Sequence, residues 1–187
     1  MKNNLAIFDL DGTLFDTSQV NYTSYFLALE FFGLKSNLFT YDYFCRHCNG
    51  NDYRIFLKSH FKDITNDLLN EIHIKKQIIY KNNLNLAKIN DALFHLIRNI
   101  KYSYIIALAT TASRLNTEDI LNYFNVYDLF DIILTKEDVC ETKPDPEVFF
   151  LAMRKSGIDK NHTIIFEDSE SGLHAAKASG ASFFKVF

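Results

Sequence analysis

Apolar residues in this chain come in two kinds of run. Short unbroken stretches, rich in branched and aromatic side chains, occur at LAIFDLD (5–11), SYIIALATT (103–111), DIILT (131–135), TIIFED (163–168) and SFFKVF (182–187). A strand with one wet face alternates apolar and polar positions, whereas a strand covered on both faces, as in a parallel sheet, does not. Helical patterns lie between these runs: DALFHLIRNI before the second, TEDILNYFN after it, DPEVFFLAMRKSG after the third and SGLHAAKASG after the fourth. The alternation predicts an α/β fold, a doubly wound parallel sheet flanked by helices.

The regular order breaks after the first run. Residues 16 to about 86 contain no convincing strand and several helical stretches. One opens at Thr17 or Ser18 as N-cap and stops before Gly33, with Tyr22, Tyr25, Phe26, Leu29 and Phe32 at helical spacing; another runs from about Asp63 to Tyr80. The expected organisation is therefore a core of residues 1–15 and 87–187, interrupted by an all-helical insert of residues 16–86.

In an open α/β sheet, ligands bind beyond the carboxyl ends of the strands. Here those ends carry Asp9 and Asp11, Thr110 and Thr111, Lys143 in the loop after the third strand, and Glu167 with Asp168. Asp9 and Asp11, two apart, are expected on one side of the strand. Four carboxylates facing one crevice cannot all stay ionised without a cation among them, and an all-oxygen donor set selects a hard ion, Mg²⁺. Lys143 is no metal ligand, but it can pair with a phosphate that the metal also touches, and Thr110 can donate to the same oxygens. A carboxylate, a metal, a lysine and a hydroxyl around one phosphoryl group make a phosphoryl-transfer site, with one aspartate as nucleophile and the second as acid and base. Each residue taken singly has a structural explanation; their occurrence together at successive strand ends favours the site.

Composition narrows the partners. The chain is 48% hydrophobic and 23% charged, which argues against disorder, and its net charge of −3 with no Lys/Arg-rich run argues against nucleic acid. The first residues, MKNNLAIFDLDG, lack the length of a signal peptide and no run approaches a bilayer span, so no membrane partner and a cytoplasmic location are expected. Three cysteines are poor material for a disulfide framework, and Cys45-Arg46-His47-Cys48, with no second CxxC to complete a zinc site, reads as ordinary helix of the insert. The 18 phenylalanines read as core, and no role falls to the six histidines.

Asp9-Leu10-Asp11-Gly12-Thr13-Leu14, Thr110, Lys143-Pro144 and Glu167-Asp168 resemble, in order, the four motifs of the haloacid dehalogenase superfamily, with the helical insert where that family carries its cap. The resemblance covers essentially the whole chain. It implies a Rossmann-like core with a mobile helical cap and Mg²⁺-dependent phosphatase activity on a small phosphorylated metabolite; a phosphomutase is the alternative, and a catalytically silent binding protein a more distant one. It makes Asp9 the nucleophile and a metal ligand, and Asp11 the acid and base, lending the metal its carbonyl. Thr110, Thr111 and Lys143 become the phosphoryl-binding residues, Asp168 a metal ligand, and Glu167 a ligand directly or through water. Asp11 argues against dehalogenation, since members attacking carbon–halogen bonds lack it. Gly50-Asn51-Asp52-Tyr53-Arg54 resembles the cap loop of relatives of beta-phosphoglucomutase and phosphoglycolate phosphatase, which makes Arg54 a candidate clamp for a distal anionic group. The chain departs from the pattern in three places: Thr111-Ala112-Ser113-Arg114 stands where many phosphatases have Asn, no Pro-Gly precedes DALFHLIRNI, and the last strand reaches Phe187, where relatives usually continue with a loop and helix.

Overall fold

A computed structural model of the chain describes residues 2–49 and 52–187, so Gly50 and Asn51 of the expected loop lie outside the described residues. The chain divides into two compact units, one formed by the segment up to Asp16 together with Ile89–Phe187, the other by Thr17–Lys88.

The first unit is built on a five-stranded sheet of β1 (Asn4–Phe8), β4 (Tyr104–Ala109), β5 (Ile132–Leu134), β6 (Thr163–Glu167) and β7 (Ser182–Lys185), in the order β5-β4-β1-β6-β7 and parallel throughout. The two-residue strands β2 (Phe15–Asp16) and β3 (Lys88–Ile89) mark where the chain leaves this unit and returns. β1 is central: Phe8 pairs with Leu108 on one side and Phe166 on the other, and the Phe8 and Phe166 rings stack 4.6 Å apart. That position explains its unbroken run, because Leu5, Ala6, Ile7 and Phe8 are all fully buried. The edge strand β7, by contrast, leaves Phe183 and Phe184 largely exposed.

Four helices belong to this unit: α5 (Asp91–Ile100), α6 (Arg114–Tyr123), α7 (Glu147–Ser156) and α8 (Glu170–Ser179). Three are opened by side-chain caps, with Asn90, Ser113 and Ser169 accepting from the amides of Leu93, Asn116 and Gly172. α6 starts three residues before the expected TEDILNYFN, because Ser113 caps it in the loop directly after β4.

The second unit comprises α1 (Ser18–Phe31), α2 (Tyr41–His47), α3 (Tyr53–His60) and α4 (Asn66–Asn82). α4 begins later than the expected Asp63, at the Thr65 cap, whose hydroxyl accepts from Leu68. Its core gathers Tyr25, Ala28, Leu29, Phe39, Phe44, Phe56, Leu69 and Ile72. In α1 the buried stripe runs through Val20, Ser24, Tyr25, Ala28 and Leu29, so the expected Phe26 is turned partly to solvent. Cys45 is exposed on α2, while Cys48 at its end is buried, which pushes its thiol pKa up to about 11 and makes it a poor thiolate. Among the described residues, no helix is long and apolar enough to cross a membrane.

Candidate active site

β1 ends at Phe8, earlier than expected, so Asp9 and Asp11 do not share a strand face. The Asp9 amide still donates to the Phe166 carbonyl (3.0 Å), after which the backbone turns: the Gly12 amide donates to the Phe15 carbonyl (2.7 Å) and the Phe15 amide to the Leu10 carbonyl (3.0 Å). Asn90 braces this turn from the start of α5, its amide donating to the Leu14 carbonyl and its side chain to that of Thr13. The turn needs a glycine at position 12 twice over, for a φ of +90° and because a Cβ there would collide with the Asp168 carboxylate. Asp11 is half-buried beside Asp9, and its charge adds to what raises the Asp9 pKa.

At the centre lies the Lys143 ammonium. It donates to Asp9 Oδ1 (2.6 Å), Glu167 Oε2 (2.7 Å) and the Ala109 carbonyl (2.9 Å). An ammonium has three donors, so all are engaged. Asp9 is 6% exposed, Lys143 9% and Glu167 1%, so this ion-pair triad is nearly dry. Burial lifts the Asp9 pKa well above the ordinary carboxylate range, with Lys143 pulling against it and Glu167 adding to the rise. For Lys143 burial opposes the charge, but Asp9 and Glu167 outweigh it and the ammonium is held more firmly than usual.

Glu167 uses its other oxygen as well: Oε1 accepts from the Ser169 amide (3.2 Å) and hydroxyl (2.8 Å). The same Ser169 hydroxyl caps α8 by accepting from Gly172 (3.0 Å), so the helix start and the glutamate are fixed together. A Cβ on Gly172 would strike the Glu167 carboxylate. Gly172→Ala is therefore expected to displace Glu167, lowering the melting temperature and turnover together, and a crystal structure of the variant checks the displacement.

Asp168, partly buried, accepts from the Thr13 hydroxyl (2.8 Å), and burial raises its pKa too. Asp9, Glu167 and Asp168 each offer an oxygen within 4.8 Å of the others. Three carboxylates around one point, two with pKa values raised by burial, form a donor set that fits a hard divalent ion. The sign follows: Asp9 and Asp168 favour folding below their unfolded pKa values, and this contribution is lost as pH rises through the raised folded ones. Added Mg²⁺ is expected to raise the melting temperature more at about pH 8 than at about pH 5, where protons compete for the same oxygens, as differential scanning fluorimetry would record.

Thr110 directly follows β4, its amide donating to the Leu134 carbonyl (3.0 Å). Its hydroxyl oxygen accepts from Ala112 (3.0 Å), leaving the hydroxyl proton to be donated. Thr111 is exposed. The loop then runs to Arg114, whose guanidinium binds both oxygens of Asp138 (2.8 and 2.7 Å) and braces the loops after β4 and β5. Arg54, in the helical unit, lies 4.5 Å from the Tyr53 ring centre and reaches Asn70 Oδ1 (3.4 Å).

The structure thus brings Asp9, Lys143, Glu167 and Asp168 together. Sequence reasoning missed the supports: Thr13 on Asp168, Ser169 on Glu167, and Gly172. Thr13 was visible inside the DxDGT run, and Ser169 as a helix cap three residues before Gly172.

Residues 6–186 match the family model described as haloacid dehalogenase-like hydrolase. The "Phosphorylated carbohydrates phosphatase" of Thermotoga maritima is 28% identical over 181 residues, covering 94% of this chain and 81% of that protein. Among solved structures, CbbY from Rhodobacter sphaeroides in complex with phosphate superposes with a TM-score of 0.83 at 24% identity, covering 100% of this chain and 88% of the other. A predicted phosphoglycolate phosphatase from Haemophilus somnus 129PT gives 0.88 at 22% identity, covering 99% and 85%. With the buried Asp–Lys–Glu triad at the carboxyl ends of a parallel sheet and a family match spanning nearly its full length, the chain belongs to the haloacid dehalogenase-like hydrolases.

Proposed function

We propose that the chain is a Mg²⁺-dependent phosphatase that hydrolyses a small phosphorylated metabolite through an aspartyl-phosphate. The observation that carries this reading is Asp9, an almost fully buried carboxylate held at 2.6 Å by an ammonium and close to two further carboxylates. Asp9, Glu167, Asp168 and the Asp11 carbonyl would hold the ion, which when bound supplies positive charge against the phosphoryl oxygens.

In the first half-reaction an Asp9 oxygen attacks phosphorus while Asp11 gives its proton to the leaving oxygen, so the substrate departs as an alcohol. In the second, Asp11 takes a proton from water, which attacks the same phosphorus; the bond to Asp9 breaks, and inorganic phosphate leaves. Lys143 begins with its donors spent on Asp9, Glu167 and Ala109. As the Asp9 carboxylate becomes an ester it loses its charge, which leaves with the departing oxygen and ends on Asp11 once that oxygen is protonated. One Lys143 donor then becomes available to the charged phosphoryl oxygens. Thr110 donates its hydroxyl proton to the same group, and Thr111 offers a second hydroxyl at the loop's exposed side. The helical unit is assigned the role of cap, with Arg54 as clamp for a distal carboxylate or phosphate, since a guanidinium pairs bidentately with either.

A panel of phosphorylated sugars, nucleotides and short acids, assayed with Mg²⁺ and with chelator, tests the reading. Release of inorganic phosphate that chelator stops and Mg²⁺ restores is expected. Interconversion of hexose phosphate isomers without phosphate release would make the chain a mutase, and inertness toward the whole panel would overturn the reading.

A further inference from the structure

We propose that Glu147, a residue outside the ion-pair cluster, is the positioning residue that holds Lys143 in register. This rests on the phosphatase reading above. Lys143 reaches Asp9 from a loop, and the delivery of its ammonium to three acceptors depends on how firmly that loop is held. Glu147 is the first residue of α7, and its carboxylate turns back along the chain. Oε1 accepts from the Cys140 amide (3.0 Å), and Oε2 from the amides of Cys140 (3.1 Å) and Glu141 (2.8 Å).

A second closure lies inside the first. The Asp145 amide donates to the Thr142 carbonyl (3.0 Å), making a turn with Lys143 inside it, and Asp145 Oδ1 accepts from the Glu147 amide (2.9 Å). The loop is therefore clamped where it begins, at 140–141, and where it ends, at 145–147, with both clamps meeting on one residue. The same first turn of α7 adds Phe149, fully buried, with its ring centre 5.2 Å from the Lys143 nitrogen. The hydrogen bonds from Glu141 and Cys140 also hold the Glu147 carboxyl below its usual pKa.

A carboxylate in a first helical turn is ordinarily explained by the helix dipole. That explanation accounts for a small change in stability and leaves the chemistry alone. A clamp on Lys143 acts on turnover, and only through Lys143.

The test is a double-mutant cycle in the full chain with Mg²⁺ and a hydrolysed phosphate ester. Glu147→Ala is expected to lower kcat about a hundredfold with KM changing far less, because a small misplacement of a catalytic group has that effect. Glu147→Gln, which keeps one acceptor oxygen, is expected to recover part of the loss. In a Lys143→Met background, or Lys143→Arg should the methionine variant not fold, adding Glu147→Ala is expected to change kcat by no more than about twofold. Wild-type kcat in Glu147→Ala, or an equal further loss in both backgrounds, overturns the proposal.

Should the wild type hydrolyse no ester, the phosphatase reading fails, and crystal structures of wild type and Glu147→Ala decide this one separately. Withdrawal of the Lys143 nitrogen from Asp9 and Glu167 supports it, and retention of both bonds overturns it.

Discussion

Replacing Asp9 by asparagine is expected to lower turnover by at least about 10⁴-fold while leaving a folded protein, since removing the proposed covalent nucleophile eliminates that route. Asparagine keeps the shape of aspartate and an oxygen that can accept from Lys143, so the hydrogen bond seen at 2.6 Å has a neutral replacement. One charge leaves a buried cluster that contains Glu167 and Asp168, which relieves repulsion as it weakens the pair with Lys143. The net change in stability should therefore be small. Turnover of the best substrate, circular dichroism and thermal melting of the two proteins check this together. Retained turnover in a folded variant would rule out the covalent route.

Replacing Lys143 by methionine should affect both properties at once. The side chain is similar in length, so no large void opens, but Asp9 and Glu167 are left buried without their shared cation. Removing one partner of a buried ion pair typically costs about 3–5 kcal/mol. Protonation offers an escape: with the ammonium gone, the burial that already raises the Asp9 pKa acts unopposed. The variant should accordingly be least stable at high pH and recover as the pH falls, the sign expected for carboxyls whose folded pKa is raised. Turnover should fall with it, because the ammonium proposed to hold the phosphoryl group has been removed. Urea titrations across pH, alongside kcat, check both halves. A variant as stable at about pH 8 as the wild type would show that the triad contributes little to folding.

These expectations rest on elements of unequal visibility in the sequence. The central strands were legible because burial on both faces leaves an unbroken apolar run, and LAIF, YIIALA and TIIF each became one. Their ends were less so. Asp9 and Thr110 look like strand residues from composition, but the ladder stops at Phe8 and Ala109, and the proposed reactive groups are the first residues beyond it. α5 matched its pattern at both ends, its start fixed by the Asn90 cap. Of the several helical stretches expected in the second unit only two could be given bounds, whereas four helices stand among the described residues, since α2 and α3 are short and owe their existence to tertiary packing of Phe44, Phe56 and Leu57. Lys143 and Glu167 were legible as chemistry but not as partners. Nothing local announces that residues 24 positions apart share an ion pair of 2.7 Å.

The meeting at Lys143 has a consequence for the life of the polypeptide. One nitrogen gathers Asp9 from near the amino end, Ala109 from midway and Glu167 from near the carboxyl end. No contiguous fragment that stops short of either Asp9 or Glu167 contains that set. A nascent polypeptide still on the ribosome, or a proteolytic remnant, cannot complete it until β6 has joined the sheet beside β1, so the proposed reactivity toward phosphate esters cannot precede that docking.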